Sequence, residues 1–333
     1  MENKKTGGLA SFYFRDLHPK VVIGTASDRY AGWIGQIYTD ECYNRHLTRR
    51  FKKVKGKTFV EEVLPVASVR EYFQHFGILE LDFTFYMPLR DSNGEPTRTF
   101  HLLQTYRQHL HDNDRLILKA PQVIFAKNLY RQGIYIKNEH YLNPDAFTKR
   151  FYEPAVELLA PWLDGIVFEQ EYQRKGSRIS PQEEASALDA FFRAVPQDDR
   201  YHVELRTEAL LSDPLFEVLK KHGVGQILSH WTWLPALSKQ FALSGKRFLN
   251  RKNSIVRLMT PRGMRYEDAY ARAHPFNASI TGMQSPGMVR DTTQLISAAI
   301  DAGIRMNVII NNRAGGNAPL IAQQVAGRFL GEL

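Results

Sequence analysis

Cysteine is almost absent from this chain: Cys42 is the only one in 333 residues. An intrachain disulfide and a thiolate zinc cluster are therefore excluded, and the expected location is reducing and cytoplasmic. Long apolar runs are missing too. Nothing approaches the roughly 18 continuous apolar residues of a membrane span, and Met1-Glu2-Asn3-Lys4-Lys5 leads into no signal-type apolar segment, so a soluble protein with no membrane partner is expected. There is no internal repeat, low-complexity tract or serine-rich linker, which favours residues 21–333 as a single domain behind an N-terminal extension over 1–20. His-Glu-x-x-His, a Walker loop and a nucleophile elbow are all absent. With few nitrogen ligands near strand ends, zinc is improbable, and the identity of any metal is left open.

Positive charge is plentiful. The formal net charge is +9, which favours an anionic small molecule or nucleic acid as partner without identifying either. Arg45, Arg49, Arg50, Lys52, Lys53, Lys55 and Lys57 crowd one stretch, read as a solvated loop or helix face or as a phosphate contact.

Periodicity gives eight strand candidates: 21–27, 79–86, 115–120, 164–170, 201–206, 225–230, 254–259 and 306–311. Most are followed by helical patterns, the clearest at 147–159, 181–195, 215–222, 292–302 and 319–330. Eight alternations of strand and helix predict an α/β fold, a TIM-barrel-like (β/α)8 barrel of parallel strands. A doubly wound sheet is the alternative, but Gly24-Thr25-Ala26-Ser27 is not a dinucleotide fingerprint. The first crossover, 31–57, lacks a tidy helix and is read as an inserted basic loop after strand 1.

Within these strands one face is apolar and the other charged. Leu79, Leu81, Phe83 and Phe85 alternate with Glu80, Asp82, Thr84 and Tyr86, which places the polar four in one continuous stripe. Lys119, Glu169, His202, Glu204, Arg206, Arg257 and Asn311 share the polar parity of their strands. Strands flanked by helices are inner strands, so these charges must meet inside a common cavity, where ligands of such barrels bind at the strand C-termini. Unpaired buried charge costs several kcal/mol, so the set must be mutually paired, hydrated or kept for a ligand.

Two chemistries follow. In phosphoryl chemistry Arg206, Arg257 and Lys119 hold phosphate oxygens while Glu80, Asp82 or Glu204 activates water or holds a divalent metal such as Mg, giving a metal-assisted hydrolase. In glycoside chemistry Glu169 and Glu204 act as acid and base or nucleophile, with Trp33, Tyr86 or Trp231 stacking a sugar ring. The glycine-rich turn Asn311-Asn312-Arg313-Ala314-Gly315-Gly316-Asn317 is either a phosphate cradle or a tight turn. Alternatively the stripe is a structural ion-pair network, and the protein is a non-catalytic binder working through its basic stretch. His202 reads as a core residue, His230 as either packing or a ligand contact, and His109 and His111 as surface.

Several of these segments resemble the YecE-like family of unknown function. The likeness runs over Gly24-Thr25, Tyr30-Ala31-Gly32-Trp33, the Glu80 to Tyr86 segment with Pro88, Lys119-Ala120-Pro121, Phe168-Glu169-Gln170, Val203-Glu204-Leu205-Arg206, Arg257, and Asn311-Asn312 with Gly316 and Ala318. Family histidines are replaced here by Phe125-Ala126 and Thr207, and a Gly-Trp by Asp28-Arg29. The resemblance implies a TIM-barrel-like fold and brings no established reaction.

Overall fold

The computed structural model describes residues 12–43, 45–131, 134–176 and 178–332; residues 1–11 of the expected extension lie outside the described residues. The barrel strands are β1 (Val21–Ala26), β2 (Ile78–Leu81), β3 (Arg115–Lys119), β4 (Leu163–Glu169), β5 (Tyr201–Glu204), β6 in two pieces (Gly225–Gln226 and Leu228–His230), β7 (Asn253–Leu258) and β8 (Arg305–Ile310). All neighbours run parallel. The first piece of β6 pairs with β5 and the second with β7, so this one segment joins the two ends of the nine-stranded sheet and nearly closes the barrel.

Strand alternation divides the side chains between two environments. Leu79, Leu118, Phe168, Val203, Val256 and Val308 point outward into the main core beneath the helices. Ile78, Ile117, Val167, Ile255 and Ile309 point inward and form a small apolar plug across the barrel. Charge lies on both sides of that plug. Toward the strand N-termini Asp164 pairs with Arg305 and accepts from Asn307 Nδ2 at 3.0 Å, with buried His202 beside them. Toward the C-termini, on the same inward parity, come Glu80, Lys119, Glu169, Glu204 and Arg257.

The helices follow the sequence patterns with small shifts. Pro181–Ala194 starts on a capping box in which Ser180 and Glu183 satisfy each other's backbone N–H groups, and Ala318–Leu330 starts on an Asn317 cap that accepts from Leu320 N at 2.9 Å. Described residues of the extension pack on the barrel's N-terminal side, where Phe14 meets the Phe76 ring and Arg15 reaches Asp114 at 3.1 Å.

Two expectations are corrected. The strand expected over 79–86 stops at Leu81, and Asp82–Phe85 is a 3-10 helix held by the Thr84 hydroxyl, which donates to Leu81 O at 3.0 Å and Lys119 O at 2.8 Å. The continuous stripe Glu80-Asp82-Thr84-Tyr86 therefore does not exist, because a turn of three residues does not preserve a period of two. The basic stretch is neither loop nor helix face: Thr48–Val54 and Lys57–Val63 form an antiparallel hairpin.

Gly24 of β1 faces Ile78 of β2 so closely that an added Cβ would lie 1.8 Å from the Ile78 carbonyl oxygen. Backbone cannot yield there without parting two barrel strands. Gly24→Ala should therefore lower stability by at least about 2 kcal/mol, read as a fall in the urea midpoint, and an unchanged midpoint would contradict this packing.

Candidate functional site

Arg257, on the inward face of β7, has 0% of its surface exposed. Its Nη2 donates to Glu80 Oε1 of β2 at 2.6 Å and its Nη1 to Glu204 Oε2 of β5 at 2.5 Å, with Glu169 Oε2 of β4 at 3.4 Å. Arg206, just beyond β5, adds Nε to Glu204 Oε2 at 2.9 Å and Nη1 to Glu169 Oε1 at 2.7 Å. Lys119, the last residue of β3, closes on Glu169 Oε2. Three carboxylates and three cations thus balance across five strand ends.

Burial and neighbours set the protonation of this group. Burial lifts the Glu80 carboxyl above its ordinary range, an effect that Arg257 and Lys119 offset only in part. Burial pushes Glu169 upward as well, but Arg206, Lys119 and Arg257 together reverse this and hold it well below the usual carboxylate range. For Arg257 burial alone would lower the value, and Glu204, Glu80 and Glu169 raise it instead. Glu80 Oε2, Glu204 Oε1 and Arg257 Nε have no hydrogen-bond partner among the described residues.

Above this floor lies a mouth cavity of about 170 Å³. Glu80, Lys119, Glu169, Arg206, Arg257 and Asn311 contribute to its lining. Aromatic rings carry its cations: Lys119 Nζ lies 4.2 Å from the Phe85 ring centroid, the Arg206 guanidinium 4.8 Å from Trp231, and that of Arg313 4.4 Å from Tyr266. Asp82 and Tyr86 reach the lining from the 3-10 turn and its end, Asp82 accepting from Ser27 Oγ at 2.7 Å and Tyr86 standing 70% exposed. Glu204 is fully buried beneath, with one oxygen shared by both arginines.

Trp33 and Asn312 are not brought to the mouth. Trp33 is wholly buried and donates through Nε1 to Asn312 Oδ1 at 3.0 Å, so the expectation that it stacks a sugar is corrected by burial. Asn312 Oδ1 also accepts from Ala318 N, while Gly315 N and Gly316 N both donate to Asn312 O. The glycine-rich turn spends these donors on itself and is a tight turn. His230 is buried and its ring pushed down to about 4 by desolvation first and Arg262 second. Among the described residues no group of three or more His, Cys, Asp or Glu could hold a metal ion, and at the floor Arg257 and Arg206 bridge the carboxylates.

Beside the mouth the basic hairpin roofs a larger groove of about 1050 Å³. Its inner face docks on helix Tyr266–Ala273: Lys52 Nζ lies 4.4 Å from the Tyr270 centroid, Tyr270 OH donates to Glu61 Oε1 at 2.5 Å, and Lys55 pairs with Asp268 at 2.6 Å. Asp28, two residues past β1, lines the groove yet is only 2% exposed. Its Oδ1 accepts from Tyr106 OH at 2.9 Å, its Oδ2 has no partner among the described residues, and burial lifts it to about 6 despite that bond. Asp28 was not among the expected site residues. Its placement directly after an inner strand is the signal that marks it.

Arg257→Met should cost about 3–5 kcal/mol because it leaves facing carboxylates buried and unpaired. Arg206→Met, at a side chain 16% exposed, should cost only about 1–2 kcal/mol. Equal losses in urea unfolding would deny Arg257 its central place. For Asp28, an acid whose folded value of about 6 exceeds the ordinary 3.8 binds its proton more tightly when folded. Its effect is therefore neutral below the lower value, grows unfavourable as pH rises between the two, and reaches on the order of 3 kcal/mol above the upper one. Asp28→Asn should accordingly raise the melting temperature more at pH 8 than at pH 4, and a pH-independent change would contradict the burial argument.

A family model described as "Protein of unknown function DUF72" matches residues 22–331. Among solved structures, a DUF72 family protein from Thermotoga maritima superposes with a TM-score of 0.59 at 14% identity, over 94% of this chain and 99% of its own. One from Enterococcus faecalis superposes with a TM-score of 0.56 at 13% identity, over 93% and 95%. No curated protein matches. Among the described residues no helix is long and apolar enough to cross a membrane. With the family match spanning all eight barrel strands after Val21, the chain belongs to the DUF72 family, which is the YecE-like family.

Proposed function

We propose that the barrel mouth binds a compact polyhydroxylated ligand of the sugar or phosphosugar class. The observation that carries this reading is the charge balance of the floor. Glu80, Glu169 and Glu204 are matched by Lys119, Arg206 and Arg257, so a bare anion gains little there without breaking pairs already made. Hydroxyl groups both donate and accept, and they suit a surface that offers both: the unpartnered Glu80 Oε2 accepts, while Lys119, Arg206 and Asn311 donate. Tyr86, which stands exposed at the rim, supplies a flat apolar wall of the kind that a sugar ring covers.

A phosphate on such a ligand has its own place. Arg313 stacks on Tyr266, and its Nε is buried with no partner among the described residues. Guanidinium groups match phosphate oxygens two at a time, which favours phosphosugars over free sugars. Where turnover follows binding, Glu80 is the group placed to lend or take a proton, and Glu169, held ionised, stabilises positive charge developing beside it. No metal has a part in this reading, since the carboxylates are bridged by arginine.

Titration of the full chain by calorimetry with hexoses, hexose phosphates and inorganic phosphate tests the reading. Hexose phosphate should bind best, with an affinity that falls only modestly between 50 and 300 mM salt, as expected for about one phosphate contact. Arg206→Ala should weaken it by roughly 10-fold or more. Inorganic phosphate binding as tightly as the hexose phosphate would sink the proposal.

A further inference from the structure

Asp28 and Arg50 line the groove and have no part in the mouth. The groove joins three features that do not normally occur together in a passive surface. At one end a carboxylate with an unpartnered oxygen is buried in the wall. Along the sides stand Tyr30, Phe83, Tyr86, Tyr106 and Phe276. Over the top runs the hairpin strand that carries Arg49, Arg50 and Lys52. Arg49 is occupied by Glu62 at 3.1 Å and Lys52 by Glu61 at 3.5 Å, whereas Arg50 is exposed and has no ion pair among the described residues.

We propose that this groove is a second ligand site, which binds a nucleotide with its base against Asp28 and its phosphate on Arg50. The chemistry at each end selects this class. An isolated carboxylate oxygen in an aromatic wall needs N–H donors, and the exocyclic amino groups of guanine, adenine and cytosine supply them, with the guanine N1–H alongside. Uracil offers a single N–H, at N3, flanked by two carbonyl oxygens that a carboxylate repels, where guanine offers N1–H and the amino group side by side. Aromatic walls stack any base, and the cationic roof tracks the phosphate. A sugar would leave the walls uncovered and Arg50 unused, and a simple anion held by Arg50 would leave the walls and the unpartnered Asp28 oxygen unused. The volume of about 1050 Å³ accommodates a nucleotide with room to spare. Strain also marks this site: Ser27, which joins β1 to Asp28 and donates to Asp82, has a φ of +69°, a left-handed conformation that non-glycine residues seldom adopt.

The two readings share Tyr86 but no charged group, the groove resting on Asp28 and Arg50 and the mouth on Glu80, Lys119, Arg206 and Arg313, so they fail separately. Calorimetric titration of the full chain at pH 7.5 with GMP, UMP and inorganic phosphate reads the preference. GMP should bind at least about 10-fold more tightly than UMP. Asp28→Asn should shrink that ratio to within about 3-fold, and its thermal melt, expected to rise, verifies that the fold is intact. Arg50→Ala should weaken GMP and UMP by a similar factor and leave their ratio alone. A short single-stranded oligonucleotide ending in guanine distinguishes the source: tighter binding than GMP assigns the site to a strand end, and equal binding assigns it to the free nucleotide. The proposal is overturned if GMP binds no better than inorganic phosphate, if the ratio survives in Asp28→Asn, or if Arg50→Ala leaves affinity unchanged.

Discussion

Everything at the C-terminal end of this barrel hangs on one guanidinium. Arg257 extends across the barrel axis from β7 and takes hold of carboxylates from β2 and β5, with β4 within reach. Its planar fork suits this in a way that an ammonium could not, because two terminal nitrogens serve different partners while the side chain stays fixed. Desolvating a cation and three carboxylates costs more than their attraction returns unless the geometry is good, so a barrel closed by apolar side chains would in general be no less stable. The arrangement is better understood as a device for placing charges than as a source of stability. Glu169 is the result: Lys119 and Arg206 reach it from the cavity side while Arg257 stands behind it, and a carboxylate so surrounded stays ionised in a setting where burial alone would neutralise it.

The apolar plug makes that placement effective. Ile78, Ile117, Val167, Ile255 and Ile309 separate the ionic floor from the polar group of Asp164, Arg305, Asn307 and His202 at the other end. With aliphatic side chains below and protein on all sides, field lines from the floor are weakly screened and emerge through the mouth. Glu80 and Glu169 lie at opposite ends of that field. One sits deep, ion-paired to Arg257 alone with Lys119 acting from farther off, the other at the surface of the network against three cations, and their proton affinities are driven apart by environment rather than by residue type.

How much of this was legible in the sequence depends on whether the backbone kept a constant period. In β3, β4, β5, β7 and β8 it did, and the inward parity of Lys119, Glu169, Glu204, Arg257 and Asn311 could be read directly. After Leu81 it did not. Asp82 to Tyr86 continue the alternation on paper, but Thr84 turns its hydroxyl onto two backbone carbonyls and the chain coils, so side chains that should share a face diverge. Trp33 was misplaced for a different reason. An aromatic residue in a loop looks available for a ligand, and only the distant Asn312, 279 residues along the chain, reveals that its indole is needed for packing. Pairings between the hairpin and helix Tyr266–Ala273 are likewise long-range, and no local pattern in a run of lysines and arginines announces them.

The hairpin also ties the mouth and the groove into one structure. Lys52, Glu61, Tyr30, Asp82, Tyr86 and Phe276 line both cavities, and two of these are on the hairpin itself. Its attachment is asymmetric. The inner face is fixed by Tyr270, Asp268 and the His274 ring, which meets Val60 O at 2.9 Å, while Phe51 on the outer face is 76% exposed. A displacement of the hairpin must therefore move Lys52 and Glu61 relative to both cavities at once. A ligand that contacts the hairpin from either side favours one hairpin position, and the linkage is reciprocal: whatever occupancy of the groove does to affinity at the mouth, occupancy of the mouth does equally to the groove.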